Sequence, residues 1–91
     1  MLAAVTTPEL LTFPCAYPIK VMMRVGAEPR ARVDAAFDRH AGAAVTAAAT
    51  ERTSAQGNFC AVTYTIQARD AQQIAELFAD IKDIPGVLMV L

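Results

Sequence analysis

The chain is poor in the groups that metal and redox chemistry require. Its 91 residues include one histidine, His40, and two cysteines, Cys15 and Cys60, far apart and without a Cys-x-x-Cys motif. Zinc, iron–sulfur and metal-chaperone motifs are thereby excluded, and neither a metal nor a cofactor is expected. One histidine also leaves little room for a Ser/His/Asp arrangement, and none is legible, so no catalytic residue is assigned. No apolar run reaches the roughly 18 residues that a membrane-spanning helix needs. No lysine or arginine precedes Lys20, so the start of the chain lacks the charged region of a secretory signal, and a cytoplasmic location is expected. A formal net charge of −1 argues against non-specific binding to nucleic acid or to an anionic membrane.

What is present reads as one small α/β domain. A chain of this length cannot bury two cores. Much of the 55% hydrophobic content is alanine, which packs little per residue. Thr7-Pro8 and Phe13-Pro14 mark residues 1–16 as an irregular leader, and residues 17–91 hold the domain. Tyr17 to Val25 alternates as a first strand, with Ile19, Val21, Met23 and Val25 on one face and Lys20, Met22 and Arg24 on the other. Pro29 suits a first helical turn, and Val33, Ala36, Phe37 and His40 form one apolar stripe ending before Gly42. At the last turn of that helix, His40 reads as a packing or capping residue.

Thr53 to Asn58 is a turn cluster in which Gly57 or Asn58 can take positive φ, and it feeds the β-branched and aromatic run Phe59–Ala68. Cys60, Val62, Tyr64 and Ile66 look inward. The preceding Val45–Thr53 is contested: alanine favours helix, while Thr46, Thr50, Thr53 and the turn favour a strand, the reading adopted. Asp70 with Gln73 signals a helix start, and Ile74, Leu77, Phe78 and Ile81 carry its stripe. Pro85-Gly86 stops it, and Val87–Leu91 is a short final strand. Strand, helix, strand, strand, helix, strand with two right-handed crossovers predicts a ferredoxin-like α+β sandwich, a four-stranded antiparallel sheet with both helices on one face.

Phe13-Pro14, Lys20-Val21-Met22, Arg39-His40-Ala41, Ser54-x-x-Gly57-Asn58-Phe59 and Met89-Val90-Leu91 resemble the YbeD-like family of small bacterial proteins, from about Leu10 onward. The pattern departs from that family at Met23 and Leu88. The resemblance implies a ferredoxin-like fold similar to ACT-type regulatory domains, which bind small effectors such as amino acids. On that likeness an effector would sit in the loop after the first strand, at Arg24 and Gly26, where helix-start N–H groups can hold a carboxylate.

Alternation along the strands places Met22, Phe59, Ala61, Leu88 and Val90 on the uncovered sheet face, ringed by Lys20, Arg24, Thr63 and Thr65. An apolar centre with a polar margin is the pattern of a docking surface. The expected function is a non-catalytic binding or regulatory module that senses a small metabolite or docks a protein partner, a second copy included, through this face or the uncharged last strand. Leu10, Leu11 and Phe13 of the leader are the competing cover for the same face. Two other readings use the same fold. An enzyme would draw on Arg24, His40 or Cys15. An RNA-binding module would have only Phe59 as an aromatic, beside Lys20 and Arg24, and nucleic acid is not expected.

Overall fold

The computed structural model describes residues 12–91. Its elements are β1 (Cys15–Arg24), α1 (Ala27–Ala41), α2 (Ala43–Ala47), β2 (Thr50–Thr53), β3 (Phe59–Ala68), α3 (Ala71–Lys82) and β4 (Val87–Val90). The strands form one antiparallel sheet in the order β2-β3-β1-β4, and the ferredoxin-like architecture stands as expected. The long β1–β3 ladder, from Cys15 opposite Ala68 to Arg24 opposite Phe59, is its backbone.

The core lies between the sheet and its helices. Ile19, Val21 and Met23 of β1 and Val62, Tyr64 and Ile66 of β3 are buried against Val33, Ala36 and Phe37 of α1 and Ile74, Leu77 and Ile81 of α3. Period two in the strands and period 3.6 in the helices thus converge on one layer. The Phe37 and Tyr64 rings stack with centroids 3.9 Å apart and planes 8° from parallel, a contact that joins α1 to β3 across the core. Asp70 caps α3 by accepting from the Gln73 backbone N–H at 2.8 Å. The buried Gln73 side chain then accepts from Arg69 N and donates to His40 O, joining the start of α3 to the end of α1. His40 itself meets Asp80 of α3 at 2.5 Å through Nε2. That contact holds the exposed Asp80 carboxyl below its ordinary range.

Three expectations change. First, Val45–Ala49 is not strand. Ala43–Ala47 forms the short helix α2, and β2 keeps only Thr50–Thr53. Alanine propensity wins where no partner strand lies opposite, and Thr46 closes the turn by donating to Asp38 Oδ1 and sharing the Ala43 carbonyl. Second, β1 starts at Cys15 rather than Tyr17 and ends at Arg24, so the irregular leader is shorter. Pro18 is tolerated inside it because Lys20 N, two residues on, donates to Leu91 O. The Pro18 nitrogen points the same way but beyond the last pairing with β4, so no ladder bond is lost. Third, Phe13 packs against the buried core rather than across the open sheet face. Leu10 and Leu11 lie outside the described residues. Gly57 takes φ +76° in the β2–β3 turn, as anticipated.

Candidate functional site

Strand register decides which side chains share the open face. Met22 lies opposite Ala61 of β3 and Met89 of β4, and Arg52 of β2 lies opposite Ala61, so one row crosses all four strands. The next row holds Thr50, Thr63 and Lys20, with Leu91 exchanging both backbone bonds with Lys20 at 3.1 and 2.8 Å. At one end Arg24 faces Phe59, its guanidinium carbon 5.8 Å from the ring centroid, a cation–π contact. Met89 is 50% exposed and Leu91 59%. Met22, Arg52, Ser54, Phe59 and Ala61 line a recess of about 260 Å³.

Met22, Phe59 and Ala61 therefore come together as expected. Val90 does not join them: it pairs with the buried Val21 and packs against the core. Leu88 is the residue skipped where the register shifts, so that Met22 faces Met89 while Met23 faces Val87. This β-bulge moves the strand's phase by one beyond Leu88, so that Met89 and Leu91 join the open face and Val90 turns to the core, while Leu88 stays 48% exposed without a partner in the ladder. Only the pairing reveals the bulge. Charge on the face has one sign. Lys20, Arg24 and Arg52 occupy outward positions, and among the described residues no acidic side chain does.

The second candidate, Arg24 with Gly26, is split. Arg24 stands on the open face, whereas Gly26 lines a depression of about 510 Å³ on the helix side with Ala27, Arg30, Asp34, Glu51 and Cys60. Arg30 donates through Nε to Asp34 Oδ1 at 2.9 Å and through Nη1 to Glu51 at 2.5 Å, and the Tyr64 hydroxyl donates to Asp34 Oδ1 at 2.6 Å. Burial and then the Asp34 hydrogen bond push the Tyr64 phenol well above its ordinary range. This network escaped sequence reading because its members come from α1, β2 and β3. The readable signals were the Arg30–Asp34 spacing of one helical turn and an inward tyrosine whose hydroxyl needs a partner.

Burial, aided by the Glu51 carboxylate, raises the Cys60 thiol above its ordinary value. Cys60 is only 6% exposed, whereas Cys15 is half-buried at the start of β1. A thiol reagent under native conditions is therefore expected to modify Cys15 first and Cys60 only at the rate set by opening of the sheet. Mass spectrometry of timed samples reads the order, and equal rates would contradict the inward placement of Cys60.

Comparison with known proteins matches residues 8–91 to a family described as "Protein of unknown function (DUF493)". The chain belongs to the DUF493 family. Its match takes in every strand and helix described above, and it bears out the YbeD-like resemblance. The chain is similar to a UPF0250 protein of Shewanella sediminis, 31% identical over 83 residues, covering 91% of this chain and 92% of that one. A UPF0250 protein of Vibrio cholerae serotype O1 is 35% identical over 83 residues, covering 91% of this chain and 88% of its own. Among solved structures, the solution structure of protein HP0495 from H. pylori aligns with a TM-score of 0.69 at 15% identity, over 100% of this chain and 94% of that one. That likeness shows the DUF493 fold to be shared and carries nothing about chemistry. No helix among the described residues is long and apolar enough to cross a membrane.

Proposed function

We propose that this DUF493 protein is a non-catalytic, ACT-like binding module of the cytoplasm that docks a protein partner through its open sheet face. The observation that carries this reading is the run of exposed Phe59, Met89 and Leu91 around the half-buried Met22 across β3, β1 and β4, on the side that no helix of the described chain covers. Aliphatic and thioether side chains around a shallow recess form an adaptable apolar contact surface. Pairing of two copies through this face has less support, because it would bring Lys20, Arg24 and Arg52 against themselves.

Effector binding beside Gly26 is the weaker reading. The cation of that depression, Arg30, already holds Asp34 and Glu51, so a carboxylate ligand must displace one of them. Photo-cross-linking in cells tests the docking face. Benzoylphenylalanine incorporated at Met89 should trap a discrete protein adduct. The same probe at Ala79, exposed on α3, should not. Identical adduct patterns from the two positions, or none from Met89, would remove the docking reading.

A further inference from the structure

We infer that the partner presents an acidic segment anchored by an apolar side chain, an inference that rests on the docking reading above. The chain as a whole carries a net charge of −1, yet its open face carries Lys20, Arg24 and Arg52 and no outward acidic side chain among the described residues. The acidic groups lie elsewhere. Glu28, Asp34 and Asp38 are on α1, Glu76 and Asp80 on α3, Asp70 and Asp83 at the ends of α3, and Glu51 turns its carboxylate to Arg30. Such segregation gives the face a positive potential against an acidic remainder, which attracts negative surfaces and repels other copies of the same face.

The cations also frame the apolar recesses. Arg52 and Phe59 border the recess of about 260 Å³ floored by Met22 and Ala61, and Arg24 lies over the Phe59 ring. Lys20 and Arg52 flank a second depression of about 300 Å³ that Thr50, Thr63, Ala61 and Glu51 also line, the Glu51 carboxylate being held by Arg30. One aliphatic or aromatic side chain suits the first recess, and carboxylates on either side of it meet the three cations. A single-stranded nucleic acid would also meet the charges. It would need several aromatic platforms for stacking, however, and Phe59 is the one aromatic in these rows, with Met22, Met89 and Leu91 in the other positions. Aliphatic surroundings favour a protein segment.

The test uses the isotope-labelled whole chain and three probes: a short peptide alternating glutamate with leucine and phenylalanine, its counterpart with lysine for glutamate, and an oligouridylate of similar length. The glutamate peptide should shift the amide resonances of Met22, Phe59, Ala61 and Met89, with binding that weakens as salt is added. Combining Lys20→Gln, Arg24→Gln and Arg52→Gln should weaken it roughly tenfold. Arg52→Gln alone, which leaves the Arg24–Phe59 contact in place, should weaken it in the same direction and serves if the triple variant folds poorly. Equal binding of the lysine peptide would overturn the acidic assignment while leaving a docking face. Tighter binding of the oligouridylate would replace the protein partner with nucleic acid. No shift with any probe, alongside a specific adduct from Met89, would overturn the partner chemistry alone. No shift and no adduct would overturn the docking reading as well.

Discussion

Tyr64→Ala is expected to cost about 3–5 kcal/mol of folding stability, the range for truncating a fully buried aromatic side chain. Tyr64 is completely buried at the centre of β3. Its removal opens a cavity under Phe37, whose ring it stacks against at 3.9 Å, and deletes the hydroxyl that donates to Asp34 at 2.6 Å. For a domain whose whole stability is on the order of 5–15 kcal/mol, this is a large fraction of the total.

Tyr64→Phe separates the two contributions. Packing is kept, and Asp34 retains Arg30 at 2.9 Å, so no buried group is orphaned and the loss should be near 1 kcal/mol. Urea denaturation of both variants measures the split. A Tyr64→Phe loss as large as that of Tyr64→Ala would mean that the hydroxyl, not the ring, holds the site together. Alkaline pH gives a second readout. Because the folded-state pKa of Tyr64 is raised above its ordinary 10.0, the stability it contributes is whole below that value. It falls as pH rises beyond, where the unfolded chain releases the proton first. The Tyr64→Phe protein should lose less stability between neutral and strongly alkaline pH than the wild type does.

Gly86→Ala should cost about 2–4 kcal/mol, from backbone strain and overpacking acting together. Gly86 has φ +97°, and an added Cβ would stand 2.8 Å from Cγ and 3.1 Å from Cβ of Pro29. The proline ring sits in the first turn of α1 and cannot swing away as a flexible side chain would. Nor can Gly86 retreat freely, since its carbonyl accepts from Arg24 N at 2.8 Å and ties the start of β4 to the end of β1. At about 4–8 °C per kcal/mol for a domain of this size, the melting temperature should fall by roughly 8–32 °C. Combining Gly86→Ala with Pro29→Ala should recover the part due to the clash and leave the part due to positive φ. If the double variant is no more stable than the sum of its parts predicts, the contact with Pro29 is not the cause.

Local periodicity in the sequence was enough for the fold and the core. The alternation of Cys60, Val62, Tyr64 and Ile66, and the stripes through Val33, Ala36 and Phe37 and through Ile74, Leu77 and Ile81, mark their buried faces from neighbouring residues alone. Element order and right-handed crossovers then leave one compact arrangement. Met22, Phe59 and Ala61 were likewise placed together by alternation, because β1 and β3 pair without interruption.

What remained depends on contacts between distant segments. The alanine-rich stretch before β2 could be judged only by whether a strand lay beside it, and none does before Thr50. In β4 the bulge at Leu88 exchanges the faces of the last residues, and no feature within Val87–Leu91 announces a register set by β1. Arg24 and Gly26 are two positions apart in the chain, yet the sheet separates them onto opposite sides. The union of Arg30 with Asp34, Glu51 and Tyr64, and the gathering of three cations around the apolar centre of the open face, arise from strand pairing and helix packing. Side chains remote in sequence have no local interaction that would record where they meet.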